Sequence, residues 1–441
     1  MTLDLPVRDP KPATSALAHV AGDMLLMAET AAIFGLTKAQ AAQMVQALAA
    51  GDDVAASSLA RLGLDAPAPV PPAPQVIAPV RALALTVSQT CNLACGYCYA
   101  AGGSFGGADT RMTWDVARAA IDQLIEATIP GGHVKIAFMG GEPMVARDLI
   151  RNSVDYANKM GATRAIRVGY SLTTNGTLIS ADDATFFADH MFAVTVSLDG
   201  GKAVNDQLRP DRAGKGSFDR VARHIAPLLD HRDRINLGAR VTVTPHNLDL
   251  PQVVDDIAAL GFGSVGVSPM ITSPTGRGAL AGADFATLLA AMTACGEAWM
   301  EATLQGRTHP FANLATVLGE LHRGKPRSHG CGAARDYVAV DADGDYSACH
   351  RFVKDPLGAM GDLDSGPDAQ ARKAFLEART VERQTPCQSC WARRLCGGGC
   401  HQEVLHAGRP ACDFVRGWLD FGLRAYGRLM TARPDWFDDK A

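Results

Sequence analysis

From Arg81 to about Met270 the sequence switches repeatedly between short β-branched apolar runs and amphipathic stretches of helical period. The runs fall at 82–88, 134–139, 166–173, 192–198, 237–244 and 264–269, and the helical stretches at about 112–127, 145–160, 181–189, 217–230 and 250–260. A strand that is followed by a helix and then by another strand returns to its sheet in parallel. The pattern therefore predicts an α/β fold, a partial or complete TIM-like barrel of six βα units. In such barrels the working residues gather at the C-terminal ends of the strands.

The first strand runs into Cys91-Asn-Leu-Ala-Cys95-Gly-Tyr-Cys98. Three thiolates in so short a loop can hold three corners of a cubane iron–sulfur cluster and leave the fourth iron without a protein ligand. Taken alone, the motif also suits a zinc knuckle or a redox cysteine pair. Zinc normally takes four protein ligands in closed sites, and no His or Cys follows until His133. The second strand ends in Gly140-Gly141-Glu142-Pro143, the third in Thr173-Thr174-Asn175-Gly176 and the fourth in Ser197-Leu-Asp199-Gly200. Each is ordinary loop punctuation by itself; three in succession after a cysteine loop are harder to assign to turns alone.

Composition narrows the function classes. A formal net charge of -4 gives no basic footprint for nucleic acid. The start, MTLDLPVRDPKP, lacks the basic and apolar parts of a signal peptide, and no apolar stretch approaches membrane-spanning length, so a cytoplasmic protein without membrane partners is expected. Eleven cysteines in a reducing compartment are more readily metal ligands than disulfides. Three lie at 91–98 and seven between 331 and 412; Cys295, inside a helical stretch at 285–303, reads as a buried apolar filler.

CNLACGYC, GGEP, TNG and SLDG, in that order on that strand framework, resemble the radical S-adenosylmethionine (SAM) enzymes over roughly residues 81–270. The resemblance implies that Cys91, Cys95 and Cys98 hold a [4Fe–4S] cluster whose open iron is chelated by SAM. One electron then cleaves SAM to methionine and a 5′-deoxyadenosyl radical. It also implies SAM contacts from Gly140, Gly141, Glu142 and Pro143, with Glu142 toward the methionine ammonium. Thr174, Asn175, Ser197 and Asp199 would lie at the ribose or carboxylate, Arg209 or Arg240 would meet the carboxylate, and Tyr97 would lie near the adenine. Structural readings exist for the last three: either arginine can be solvated or structural, and Tyr97 can simply pack the loop.

The later cysteines, Cys331, Cys349, Cys387-x2-Cys390-x5-Cys396-x3-Cys400 and Cys412, resemble the SPASM extension of radical SAM enzymes. Two zinc sites are the alternative for these residues alone. The resemblance implies two auxiliary [4Fe–4S] clusters, one held by Cys387, Cys390, Cys396 and Cys412 and the other by Cys331, Cys349 and Cys400. The second set is one cysteine short, so its fourth iron is open or takes another ligand, with His329 a candidate. An open iron can bind a substrate thiolate, which favours thioether chemistry.

The expected plan is a small α+β unit at 1–64, a proline-rich linker at 65–80, the radical SAM barrel at 81–270, a helical bridge at 271–330, the SPASM region at 331–412 and a C-terminal helix at 413–441. In the first unit, Ala18 to Met27 suits a hairpin around Gly22-Asp23, and Thr37-Lys-Ala-Gln40 a capping box opening a helix. That unit resembles leader-peptide recognition domains, in which a precursor adds as a strand to a sheet edge; a plain stabilising cap is the alternative. The expected function is a maturase that crosslinks a ribosomally made precursor peptide or small protein, by a thioether or C–C bond, with flavodoxin or ferredoxin as electron donor. A sulfatase maturase is the runner-up; those enzymes carry Asp after the cysteine corresponding to Cys349, and here His350 follows. A non-catalytic iron–sulfur carrier or sensor is the alternative of another class.

Overall fold

The computed structural model describes residues 16–64 and 77–438. The expected signal-free start and most of the proline-rich linker, residues 65–76, lie outside the described residues. The chain divides into two compact units: described residues of 1–75, 281–331 and 377–441 form one, and those of 76–280 and 332–376 the other.

In the first unit the hairpin forms where Gly22 takes a left-handed turn at φ +63°, joining β1 (Ala18–Ala21) to β2 (Met24–Met27) with Ala21 opposite Met24. A third strand, β3 (Ile33–Gly35), pairs with the other side of β2; three residues are too few to show a period in sequence. The helix Lys38–Ala50 opens on the Thr37/Gln40 capping box and gives way at Gly51 to a second helix, Asp52–Arg61. Leu25 and Met27 pack against Met44, Leu48 and Leu59 from those helices, whereas Ala21 and Leu26 pack against Leu321, Trp391, Leu419 and Leu423. Alternation along β2 thus buries both faces of a small sheet. Longer helices, Asp284–Leu304, Ala312–Arg323 and Cys412–Ala432, complete the unit, with Cys295 buried in the first.

A buried ion network ties the hairpin to the cysteine-rich segment. Glu29 is 7% exposed and accepts from Arg393 Nη2 at 3.0 Å and from Arg394 Nη2. Arg393 also donates to the carbonyls of Ala16 and Cys390 at 2.8 and 2.9 Å. Burial pushes the Glu29 carboxyl up, but Arg394 and Arg393 outweigh it and hold it below its ordinary value.

In the second unit six strands lie parallel in sequence order: β4 (Ala82–Ser88), β5 (His133–Gly140), β6 (Arg167–Thr174), β7 (Ala193–Ser197), β8 (Asn236–Val243) and β9 (Val265–Pro269). The connecting helices Trp114–Glu126, Arg147–Thr163, Ala181–Asp189, Phe218–Asp230 and Leu250–Ala259 fall where helical period was read, and a short extra helix, Lys202–Leu208, follows β7. Thr113 and Ser180 cap the first and third of the five through their hydroxyls. On its other side β4 pairs in parallel with β10 (Tyr337–Val340), and β11 (Asp345–Ser347), β12 (Ala359–Asp362) and β13 (Gly366–Pro367) continue antiparallel. Among the described residues the sheet runs from β13 to β9 without closing, a partial barrel.

Removing one partner of a buried charge network leaves the others uncompensated. Glu29→Ala is expected to destabilise its unit by about 3–5 kcal/mol in denaturant unfolding. Because the carboxyl is held low, its contribution is present above the ordinary carboxylate range and disappears as pH falls through the lower folded-state value; an acid titration of stability checks the sign.

Candidate active site

The ends of β4 to β7 place the four sequence motifs side by side, and hydrogen bonds join them. After β4, the cysteine loop is anchored by Ala94 N–H to the Pro210 carbonyl at 2.8 Å and by Arg212 Nε to the Cys91 carbonyl at 2.7 Å. After β5, the chain must pass so close to the cysteine loop that only glycine fits. A Cβ at Gly140, φ +152°, would stand 2.2 Å from the Ser88 carbonyl oxygen, and one at Gly141 would stand 2.4 Å from that of Thr90. Gly141 N and Glu142 N donate to those two carbonyls at 2.8 and 2.9 Å.

Glu142 is fully buried. It accepts from Thr174 Oγ1 at 2.7 Å, Asn175 N at 2.7 Å and Met144 N at 3.0 Å. Burial pushes its carboxyl up against these bonds. Its carboxylate therefore joins GGEP to TNG, and Pro143 beside it is buried too. Asn175 reaches the cysteine loop, with Nδ2 2.8 Å from Asn92 Oδ1 and 3.8 Å from Cys91 Sγ; Asn92 Nδ2 in turn donates to Thr177 Oγ1 at 2.7 Å.

After β7, Asp199 is fully buried, and Tyr97 and Arg209 are 6% and 8% exposed. The Tyr97 hydroxyl donates to Asp199 Oδ2 and accepts from Arg209 Nη1 at 2.5 Å; Arg209 lies 3.6 Å from Asp199 Oδ2. Burial pushes Asp199 up while Arg209 pulls it back, and burial pushes Tyr97 far up, so its proton stays on.

Arg240 and Ser197 are register partners on neighbouring strands. Arg240 is exposed and donates to Ser268 Oγ on β9. Burial, then the Arg351 and Arg240 cations, push His350 down to about 4, and its Nδ1 lies 2.8 Å from the Tyr337 hydroxyl. Tyr99 lies edge-on to His350, with centroids 6.1 Å apart, and beneath Arg351. Sequence reading missed Asn92, Thr177, Tyr99, Tyr337 and Arg351 as members of this constellation. Asn92 and Tyr99 carried a signal through their place in or beside the cysteine loop, and Thr177 through its place directly after Asn175-Gly176; Tyr337 and Arg351 meet the loop only through the fold.

Cys91, Cys95 and Cys98 are partly buried free thiols. Burial pushes Cys91 up and Cys95 up to about 11, the behaviour of thiols that need a metal to ionise in place. Among the described residues, no three His, Cys, Asp or Glu side chains converge as ligands of one metal ion. A polynuclear cluster asks for less convergence, since each thiolate meets a different iron. The donor set fits such a cluster.

In the other unit, Cys387, Cys390, Cys396 and Cys412 are near enough to act on one another electrostatically. Burial pushes Cys387 up to about 11 and raises Cys396 and Cys412, with Arg409 opposing at Cys387 and Cys412. Gly398 and Gly399 donate their N–H groups to Cys396, and Arg416 is bonded to Cys390. Gly397 is left-handed, and a Cβ there would stand 2.3 Å from the His329 carbonyl oxygen, which brings the segment before Cys331 against the one before Cys400. His329 is buried with its ring 6.1 Å from that of His401. Cys331 is exposed and Cys400 partly buried in this unit, whereas Cys349 is buried in the barrel unit.

Residues 85–232 match the family model described as Radical SAM superfamily. A serine-type anaerobic sulfatase-maturating enzyme of Klebsiella aerogenes is 26% identical over 388 residues, covering 83% of this chain and 92% of that one. The solved structure of native anSMEcpe with bound AdoMet and Cp18Cys peptide matches with a TM-score of 0.67 at 21% identity, over 81% of this chain and all of that one. Streptococcus suis SuiB bound to precursor peptide SuiA matches with a TM-score of 0.54 at 17% identity, over 91% of this chain and 98% of that one. Among the described residues no helix is long and apolar enough to cross a membrane. The cysteine loop on the first strand, the three turns bonded around it and the match over residues 85–232 identify the chain as a radical SAM enzyme, and its cysteine-rich C-terminal part resembles a SPASM extension.

Proposed function

We propose that the chain is a peptide maturase: it uses S-adenosylmethionine at a [4Fe–4S] cluster held by Cys91, Cys95 and Cys98 to crosslink a side chain within a ribosomally made peptide or small protein. When bound, that cofactor pair supplies a carbon radical able to remove hydrogen from an unactivated carbon. The observation that carries the substrate class is the likeness to two solved structures that hold peptides.

The chain's own residues suit the task. Gly140 and Gly141 let the backbone approach the cysteine loop, and Arg240 with Ser197 offers a cation and a hydroxyl to a carboxylate at the strand ends. His350, pushed down to about 4 by burial and by the Arg351 and Arg240 cations, presents a neutral imidazole held 2.8 Å from the Tyr337 hydroxyl. The gathered Cys387, Cys390, Cys396 and Cys412 suit an auxiliary cluster that takes up the remaining electron. The edge strand β3 offers backbone groups to which a leader peptide can add as a further strand, and a flavodoxin or ferredoxin is the class of donor that fits one-electron reduction.

A second reading, oxidation of a Ser or Cys to formylglycine, is favoured by the likeness to the Klebsiella enzyme over 92% of its length. His350 stands against it, since an imidazole here follows Cys349 in place of the carboxylate of that family.

Mass spectrometry of the anaerobically reconstituted, reduced chain separates the two. The substrates are small cysteine-bearing peptides encoded beside its gene and a sulfatase-derived peptide carrying Ser or Cys. Crosslinking removes two hydrogens and blocks fragmentation between the joined residues. Formylglycine leaves fragmentation intact and is captured by a hydrazide, which would replace the first reading by the second.

Cys95→Ala is expected to abolish formation of 5′-deoxyadenosine, and retained formation would refute the assignment of the cysteine loop. Gly141→Ala forces the loop away from the Thr90 carbonyl and is expected to slow SAM cleavage by about 100-fold, the scale of a misplacement of about 1 Å, measured as 5′-deoxyadenosine released per unit time.

A further inference from the structure

We infer that Tyr97, Asp199 and Arg209 form a buried bridge that fixes the Cys95–Cys98 turn to the ends of β7 and β8, as positioning residues for the cysteine loop and not as contacts to S-adenosylmethionine. The inference rests on the reading of Cys91, Cys95 and Cys98 as cluster ligands.

Tyr97 lies inside the cysteine loop, its ring buried with Leu208 and Met270 and with Cys95 packed alongside. Its hydroxyl donates to Asp199 and accepts from Arg209, so one oxygen links the loop to both charges. The other Asp199 oxygen accepts from Thr242 N–H on β8 at 3.0 Å. The backbone around the pair is held as firmly. Asp199 N–H donates to Asn205 Oδ1 at 3.2 Å, and the Asp199 carbonyl accepts from Asn247 Nδ2 at 3.1 Å. The Arg209 carbonyl accepts from Ser217 Oγ at 2.6 Å. The bridge therefore runs from the cysteine loop through Tyr97 to β7, β8 and the chain after Leu208.

Enclosure decides between positioning and cofactor contact. A guanidinium offered to the carboxylate of a bound cofactor needs an open face, yet Arg209 is 8% exposed and already meets an oxygen of Tyr97 and a carboxylate. A cofactor carboxylate would have to displace Asp199, which is fully buried. Arg240, by contrast, is exposed in the middle of β8, level with Ser197 at the end of β7. Arg209 is also close enough to Cys95 for its charge to act on that sulfur. Net charge and hydrogen bonding near the sulfurs set the potential of an iron–sulfur cluster, so the bridge places a fixed cation, balanced by Asp199, beside one ligand.

The test uses the reconstituted full chain and its Tyr97→Phe and Asp199→Asn variants. Two quantities are read: the midpoint and line shape of the reduced-cluster electron paramagnetic resonance signal that responds to SAM, and the Kd for SAM from equilibrium dialysis. Tyr97→Phe keeps the ring and its packing, so it reports even if Asp199→Asn does not fold. The expected result for Tyr97→Phe is a shifted midpoint and SAM cleavage slowed by about tenfold, the scale of one lost charge-assisted hydrogen bond, while Kd stays within about twofold. A Kd weakened beyond that range would make Tyr97 a cofactor contact and overturn the inference, as would an unchanged midpoint and line shape. Failure of the underlying reading looks different: the unsubstituted chain would then give no SAM-responsive signal, and both would fall.

Discussion

The site depends on the parallel register of β4 to β7. Parallel neighbours all end at the same side of a sheet, so loops separated by up to about a hundred residues become immediate neighbours once the strands pair. Ser88 meets Gly140 at the end of the β4–β5 ladder, Phe138 pairs with Leu172, and Thr174 pairs with Val196. From there short polar side chains finish the work. Glu142 bonds the second loop to the third, Asn175 bonds the third to the first, and Tyr97 bonds the first to the fourth. The cysteine loop carries little regular structure of its own and takes its shape from these neighbours.

This arrangement explains the placement of glycines and buried acids. Gly140 and Gly141 stand where the second loop passes under the carbonyls of Ser88 and Thr90, and any side chain would push the cysteine loop away. Glu142 and Asp199 are both fully enclosed, which is tolerable only because each is met by several donors. Arg240, in contrast, is exposed in β8 beside Ser197 and bonds to Ser268 on β9.

The barrel strands were legible because each is five to eight residues long and strongly apolar, and the helices between them keep a clear amphipathic period. The same criteria passed over β3 and β10 to β13, which have two to four residues each and owe their existence to pairing with strands already in place. In the site, residue types and positions were legible but partners were not. Glu142 and Tyr97 lie on the loops expected of them, and their hydrogen bonds to Thr174, Asn175, Asp199 and Arg209 carry no signal along the chain. Spacing along a chain reports which loop a side chain sits on; what it bonds to depends on loops that only the sheet brings near. The link from Glu29 to Arg393 and Arg394 spans more than three hundred and sixty positions and had no sequence signal at all.

The central claim is that S-adenosylmethionine sits at an open iron held by Cys91, Cys95 and Cys98. Electron–nuclear double resonance on the reduced full chain, supplied with SAM labelled at its amino nitrogen and carboxylate carbon, tests it most directly. The account predicts hyperfine coupling from both labels to a reduced cluster, and its loss in Cys95→Ala. A fully iron-loaded, reduced chain that binds labelled SAM without either coupling would contradict it.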